Sequence, residues 1–77
     1  MEAYHNRGAL YSAMYETDKA LEDFNKAISI KPSDLTYSAR GILYIEKGES
    51  DKAIEDFTKA IDLNPAKPTA YFYRATV

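Results

Sequence analysis

Apolar residues in this chain recur at intervals of three and four, the period of one face of an α-helix. Pro32 and Pro65 end two such stretches, and Pro68 suits the first turn of a further helix. Thr17 and Ser50 are placed to cap two of the helices. The pattern predicts an all-α fold of about five helices, the first four over residues 2–15, 18–30, 35–46 and 51–63.

The helical pattern repeats itself with a period of 33 residues. Of the 29 positions from 4 to 32, sixteen carry the identical residue 33 positions further on. Tyr71, Arg74 and Ala75 match the start of the second copy at a spacing of 34. Self-similarity at this period is typical of stacked helical repeats. We expect one domain, residues 1–77, that consists of repeat 1 (1–33), repeat 2 (34–66) and the first helix of a third repeat (67–77).

The composition of the chain argues against nucleic-acid and membrane partners. A 77-residue chain without cysteine has no disulfide to support a small core, so packing between repeats or with another chain must stabilise it. The net charge of −2 argues against a nucleic-acid partner. No apolar run has membrane-spanning length, and the first residues do not read as a signal peptide. We expect no membrane partner and a cytoplasmic location.

Candidate chemistry is sparse. His5 is the only histidine, and no serine lies in a nucleophile motif. Adjacent acidic residues occur at 22–23 and again at 55–56, in the same register of both repeats, which favours a scaffold role over catalysis. The sequence therefore predicts no enzyme activity, no metal site and no cofactor.

One motif occurs twice in phase and reads Tyr-x2-Arg-Gly-x2-Tyr, then Ala-x3-Phe-x2-Ala and a closing proline. Its first copy comprises Tyr4, Arg7, Gly8, Tyr11, Ala20, Phe24, Ala27 and Pro32. The motif resembles the tetratricopeptide repeat (TPR) family. The resemblance implies an α-solenoid of antiparallel helix pairs in a right-handed superhelix, whose first helices line a concave groove. It also implies a protein–protein interaction scaffold that binds a peptide or partner helix there.

The resemblance also assigns the groove residues of this chain. They are His5, Asn6, Ala9, Ser12, Ser38, Ala39, Ile42, Ile45, Phe72 and Tyr73. Relatives that clamp the acidic tails of heat-shock chaperones use Lys, Asn and Arg at such positions. This chain has His5, Ala9, Ala39, Thr69 and Tyr73 there, so we expect an apolar or weakly polar protein ligand and no carboxylate clamp.

Self-assembly is the alternative function. The predicted fifth helix has no partner helix in the sequence, and an apolar face left open on a monomer is uncommon. Phe72, Tyr73, Ala75 and Val77 would form this face. A second chain that covers it would produce a dimer or a filament.

A recurrent arginine departs from the family pattern. Arg7, Arg40 and Arg74 stand where the motif usually has an apolar leucine. In one interpretation, the aliphatic part of the arginine side chain packs over the repeat junction and its guanidinium group stays in water. The other pairs arginine with a recurrent aspartate, Arg40 with Asp23 and Arg74 with Asp56.

Overall fold

Four α-helices make up most of residues 2–65, the part of the chain that the computed structural model describes. They are α1 (Glu2–Ala13), α2 (Thr17–Ile30), α3 (Asp34–Glu46) and α4 (Ser50–Leu63). No strand occurs among these residues. The all-α prediction is confirmed, and the predicted fifth helix lies outside the described residues.

The helix starts differ slightly from the predicted caps. Thr17 and Ser50 are the first residues of α2 and α4, and the residues before them, Glu16 and Glu49, occupy the N-cap positions. Neither glutamate caps its helix with a side-chain hydrogen bond. Each carboxylate instead pairs with the lysine three residues later, at 3.2 and 3.0 Å. The predicted caps were wrong by one residue, a typical error at helix ends.

The turn that joins the two helices of each repeat contains one residue with positive φ. This residue is a tyrosine in the first repeat and a glycine in the second. Gly48, between α3 and α4, has a φ of 79°. Tyr15 stands 33 positions earlier and has a φ of 62° with its side chain almost fully exposed. A side chain in this left-handed region costs roughly 1–2 kcal/mol, which glycine avoids. This conformation ends α1 at Ala13, two residues before the predicted end.

The helices of each repeat are antiparallel and in close contact. Between α1 and α2, Arg7 meets Asp23 while Tyr11 meets Lys19, so the two residue orders run in opposite directions. A Cβ atom added at Gly8 would lie 2.9 Å from the ring of Phe24. This distance is shorter than van der Waals contact. The close approach explains why glycine occupies a helix interior, where it costs about 1 kcal/mol relative to alanine.

The second repeat has the same packing, and the two repeats share a core. A Cβ atom at Gly41 would lie 2.9 Å from the Phe57 ring. Leu43 of α3 is 1% exposed and packs with Ala20 and Phe24 of α2, so this cluster joins the repeats. Since apolar contacts join each helix to the next from α1 to α4, the described residues form a continuous helical solenoid.

The recurrent arginines pair within their own repeats. Arg7 donates from Nε and Nη2 to the Asp23 carboxylate at 2.8 and 2.9 Å. Arg40 donates in the same way to Asp56 at 2.8 and 2.7 Å. The predicted Arg40–Asp23 pair is therefore wrong, because Arg40 pairs with Asp56. The predicted Arg74–Asp56 pair involves a residue outside the described part of the chain. In each pair the arginine lies on the first helix of the repeat and the aspartate on the second helix of the same repeat.

These pairs are bidentate and the aspartates are buried. Asp23 and Asp56 are each 3% exposed, so their carboxylates depend on the guanidinium groups for compensation. The hydrogen bond from Arg7 holds the pKa of Asp23 below its ordinary value. Arg40 also donates from Nη1 to Oδ1 of Asn25 at 2.8 Å. The second arginine thus links α4, through α3, to the preceding repeat.

Two leucines at equivalent positions test the repeat junction. We expect Leu43→Ala to lower the free energy of unfolding by about 2–4 kcal/mol, because it leaves a cavity between α2 and α3. Leu10→Ala, where the leucine is 61% exposed, should change that free energy by less than about 0.5 kcal/mol. Urea denaturation measures both. Equal losses would contradict the assignment of Leu43 to the junction.

The Arg40–Asp56 pair yields a second prediction. Arg40→Leu should destabilise the protein by about 2 kcal/mol or more, because Asp56 is left buried without its cation. Adding Asp56→Leu should recover part of this loss, since no buried charge then remains. Urea denaturation at neutral pH of the parent, the two single variants and the double variant forms the cycle. Strictly additive losses would show that the two residues do not interact.

The strained turn supplies a third prediction. Tyr15→Gly should raise the free energy of unfolding by about 1 kcal/mol, because glycine adopts positive φ without the Cβ penalty. Gly48→Ala is the matched control and should lower it by a similar amount. Thermal unfolding followed by circular dichroism measures both changes. A destabilised Tyr15→Gly variant would mean that the exposed tyrosine makes contacts that outweigh the backbone strain.

Candidate functional site

A cleft of about 570 Å³ opens at the junction of the two repeats. We call it the junction cleft. It draws residues from the first half of α1, the end of α2, the connection after α2 and the start of α3. Its lining residues are His5, Asn6, Ala27, Lys31, Ser33, Leu35 and Thr36.

The connection between α2 and α3 shapes one side of the cleft. Lys31 ends α2 with extended backbone angles (φ −152°, ψ 103°), as expected for a residue that precedes proline. Ser33 then caps α3, since its Oγ accepts a hydrogen bond from the Leu35 backbone N–H at 3.2 Å. The cap fixes where α3 begins and holds Leu35 at the cleft with its side chain 54% exposed.

His5 is held in the opposite wall by two contacts. Its Nδ1 lies 2.9 Å from the hydroxyl oxygen of Thr36, a distance at which either group can donate, depending on the histidine tautomer. Its ring centroid is 5.5 Å from that of Phe24, tilted by 48°. Thr36 is buried, so the hydrogen bond satisfies a hydroxyl that water does not reach. His5 therefore links α1 to α3, and these two contacts fix the position of its side chain in the cleft wall.

The lining combines apolar surface with a few polar groups. Buried Ala27 and exposed Leu35 supply methyl groups, while Asn6 exposes a side-chain amide. Within residues 2–65, Lys31 is the only lysine or arginine that lines the cleft, and no lining residue is acidic. Pockets that are mostly apolar with a small number of polar groups are typical of ligand sites. The arrangement suits an uncharged or weakly acidic ligand with an apolar side chain.

The predicted groove residues divide into those at the cleft and those further along the helices. α2 is antiparallel to α3, since Asn25 meets Arg40 while Asp18 meets Lys47, so α1 and α3 run in the same direction. His5 and Asn6 line the junction cleft. Six others do not line it and follow on the same two helices: Ala9, Ser12, Ser38, Ala39, Ile42 and Ile45. Phe72 and Tyr73 lie outside the described residues.

Three predicted groove residues also serve the core. Ala39 packs against the cluster that joins the repeats, and Ile42 and Ile45 pack against the cluster around Phe57. All three are half-buried, whereas Ala9 is exposed. The apolar side chains of α3 therefore have only part of their surface available to a ligand.

Sequence reasoning missed most of the cleft lining. Lys31, Ser33, Leu35 and Thr36 belong to the connection and the first turn of α3, outside the helix face assigned to the groove. The signal for them was Pro32, which forces the chain to turn beside His5. The segment from Pro32 to Tyr37 is one residue shorter than the equivalent segment from Pro65 to Tyr71. This difference also indicated a tight turn between α2 and α3.

The described residues offer neither a cluster of metal ligands nor a membrane-spanning helix. Within residues 2–65, no group of three or more His, Cys, Asp or Glu side chains could hold a metal ion. None of the helices in the same part of the chain combines the length and apolar character needed to cross a membrane.

Comparison with known proteins agrees with the repeat pattern. The family model of the tetratricopeptide repeat matches residues 2–34 and again residues 35–67, most of the 77-residue chain. A search of curated proteins found no match. The period, the antiparallel pairs and the glycine–phenylalanine contacts are thus explained together: the chain belongs to the tetratricopeptide repeat family, whose repeats generally form non-catalytic scaffolds that bind protein partners.

Proposed function

We propose that this chain binds a short segment of another protein, a peptide or a helix, along α1 and α3, with one apolar side chain of the ligand in the junction cleft. The observation that carries the proposal is the cleft itself, an opening of about 570 Å³. It lies where two first helices of neighbouring repeats meet. The proposal treats residues 1–77 as one domain with no catalytic role.

Magnitudes favour an apolar anchor over a charged one. Burying a leucine-sized side chain contributes about 1.5–3 kcal/mol. An ion pair with Lys31, which is exposed at the cleft, contributes at most about 1 kcal/mol. A ligand with an aliphatic or aromatic residue at its centre therefore binds better than one selected for acidity alone.

The same residues argue against a carboxylate clamp. Ala9 and Ala39 carry only methyl groups, and Ala39 is half-buried against the repeat junction. His5 already shares a hydrogen bond with Thr36. A ligand carboxylate would thus find one exposed cation, Lys31, with the Asn6 amide and the Ser33 hydroxyl as neutral donors, which are too few to offset its desolvation.

Self-assembly through the C-terminal residues remains the alternative. It rests on Phe72, Tyr73, Ala75 and Val77, which lie outside the described residues. Sedimentation velocity on the variants Phe72→Ser and Tyr73→Ser tests it, because the alternative requires both changes to weaken association of the parent chain.

Peptide selection with two charge-introducing variants tests the proposed function. Peptides selected from a random display library on the parent protein should lose at least about tenfold in affinity for Leu35→Glu, which places a carboxylate at the apolar part of the cleft. Leu63→Glu is the matched control, since Leu63 is 51% exposed against 54% for Leu35 and lies at the end of α4. Fluorescence anisotropy measures both affinities.

The control decides the outcome. Peptides that bind the parent and Leu63→Glu equally, but not Leu35→Glu, locate binding at the junction cleft. Peptides that bind all three proteins alike, or none that bind at all, would overturn the proposal. Circular dichroism spectra confirm that each variant stays folded.

A further inference from the structure

One ring nitrogen of His5 is open to the junction cleft. Its Nδ1 lies 2.9 Å from the Thr36 hydroxyl oxygen, and within residues 2–65 no hydrogen bond involves its Nε2. No buried side-chain nitrogen or oxygen in the same part of the chain is without a partner. Nε2 is therefore accessible to solvent. Because His5 lines the cleft, a ligand that binds there can reach this atom.

Thr36 decides which ring nitrogen carries the proton. It is 3% exposed, and among the described residues His5 is the only hydrogen-bond partner of its side chain. Thr58 shows the alternative for a threonine in a helix, since its hydroxyl donates to the Ile54 carbonyl four residues earlier. The residue four positions before Thr36 is Pro32, which precedes α3 and its cap. The buried Thr36 hydroxyl therefore donates to Nδ1, because a buried donor without an acceptor is costly.

This hydrogen bond fixes the tautomer of the neutral ring. A neutral imidazole carries one proton, and when Nδ1 accepts a hydrogen bond, that proton is on Nε2. His5 thus presents an N–H donor to the cleft. The Thr36 hydroxyl and the Phe24 ring, whose centroid is 5.5 Å away, hold the imidazole in place. A donor that is already fixed loses little freedom on binding, so it can discriminate between ligands.

The neighbouring side chains of the cleft also offer mainly donors. The Oγ atom of Ser33 accepts from the Leu35 N–H, which leaves the hydroxyl hydrogen for a ligand. Lys31 is exposed and carries an ammonium group. Asn6, also exposed, supplies a side-chain N–H₂ group together with a carbonyl. A ligand that covers these groups displaces their water, so it has to bring hydrogen-bond acceptors.

We propose that the ligand of the junction cleft is an extended segment rather than a helix, and that one of its backbone carbonyls accepts a hydrogen bond from Nε2–H of His5. The inference rests on the proposed function, which allows either form of ligand. A helix uses its carbonyls within its own backbone, except in its last turn. An extended segment exposes backbone carbonyls along its length, so an acceptor lies close to the apolar side chain that enters the cleft.

A backbone carbonyl suits this donor better than a ligand carboxylate does. A single neutral N–H satisfies a carbonyl, whereas a carboxylate has two oxygens and a full charge to desolvate. Lys31 is the one cation that the described residues contribute to the lining, and it is exposed. Exposed ion pairs contribute little. His5 therefore selects a neutral acceptor.

A double-mutant cycle between His5 and the ligand backbone tests the inference on the full 77-residue chain. The probes are display-selected peptides that bind the parent and Leu63→Glu but not Leu35→Glu, so each of them uses the cleft. Each amide of such a peptide is replaced in turn by an ester, which weakens the carbonyl as an acceptor. For one position, fluorescence anisotropy should show an affinity loss at least about threefold larger with the parent than with His5→Asn.

Two variants of His5 separate ligand contact from support of the fold. In His5→Asn the side-chain oxygen can replace Nδ1 as the acceptor for Thr36, while nothing replaces Nε2–H. In His5→Gln the longer side chain can place an amide N–H near the position of Nε2, so part of the ester effect should return. A purely structural role for His5 would lower the affinity of every ester peptide alike. Circular dichroism verifies that both variants are folded.

Several results would overturn the inference and leave the proposed function standing. One is a peptide that becomes helical on binding, as the backbone carbon chemical shifts of a labelled peptide would show by NMR. Another is an ester scan in which no position depends on His5, or a dependence on His5 that comes from an acidic side chain of the ligand. If no peptide distinguishes Leu35→Glu from Leu63→Glu, the proposed function fails and this inference fails with it.

Discussion

The contact of a phenylalanine ring with a glycine backbone is the constraint on which the rest of the structure depends. Phe24 and Phe57 lie so close to Gly8 and Gly41 that no Cβ atom fits between them. This contact sets the separation of the two helices in each repeat. At that separation, the arginine that precedes each glycine reaches the aspartate that precedes the facing phenylalanine. The result is one bidentate arginine–aspartate pair in each repeat.

Identical residues have different roles in the two repeats because their neighbours differ. Leu43 is buried at the repeat junction, while Leu10 faces outward on the first helix. Arg40 reaches both Asp56 and Asn25, and Arg7 has only its own aspartate among the described hydrogen bonds. In a repeat protein each unit packs only against its neighbours, and the two faces differ because α2 precedes α3 whereas no described helix precedes α1.

The sequence by itself determined the helices, the repeat period and the family, because each depends on residues close together in the chain or on a motif that recurs in phase. It did not identify the partner of Arg40, since Asp23 and Asp56 occupy the same position of successive repeats and no local pattern distinguishes them. It also missed Lys31, Ser33, Leu35 and Thr36 as a cleft lining. Only the tertiary structure decided these points, because they depend on the distance between helices and on the tight turn after Pro32, which brings the start of α3 beside His5.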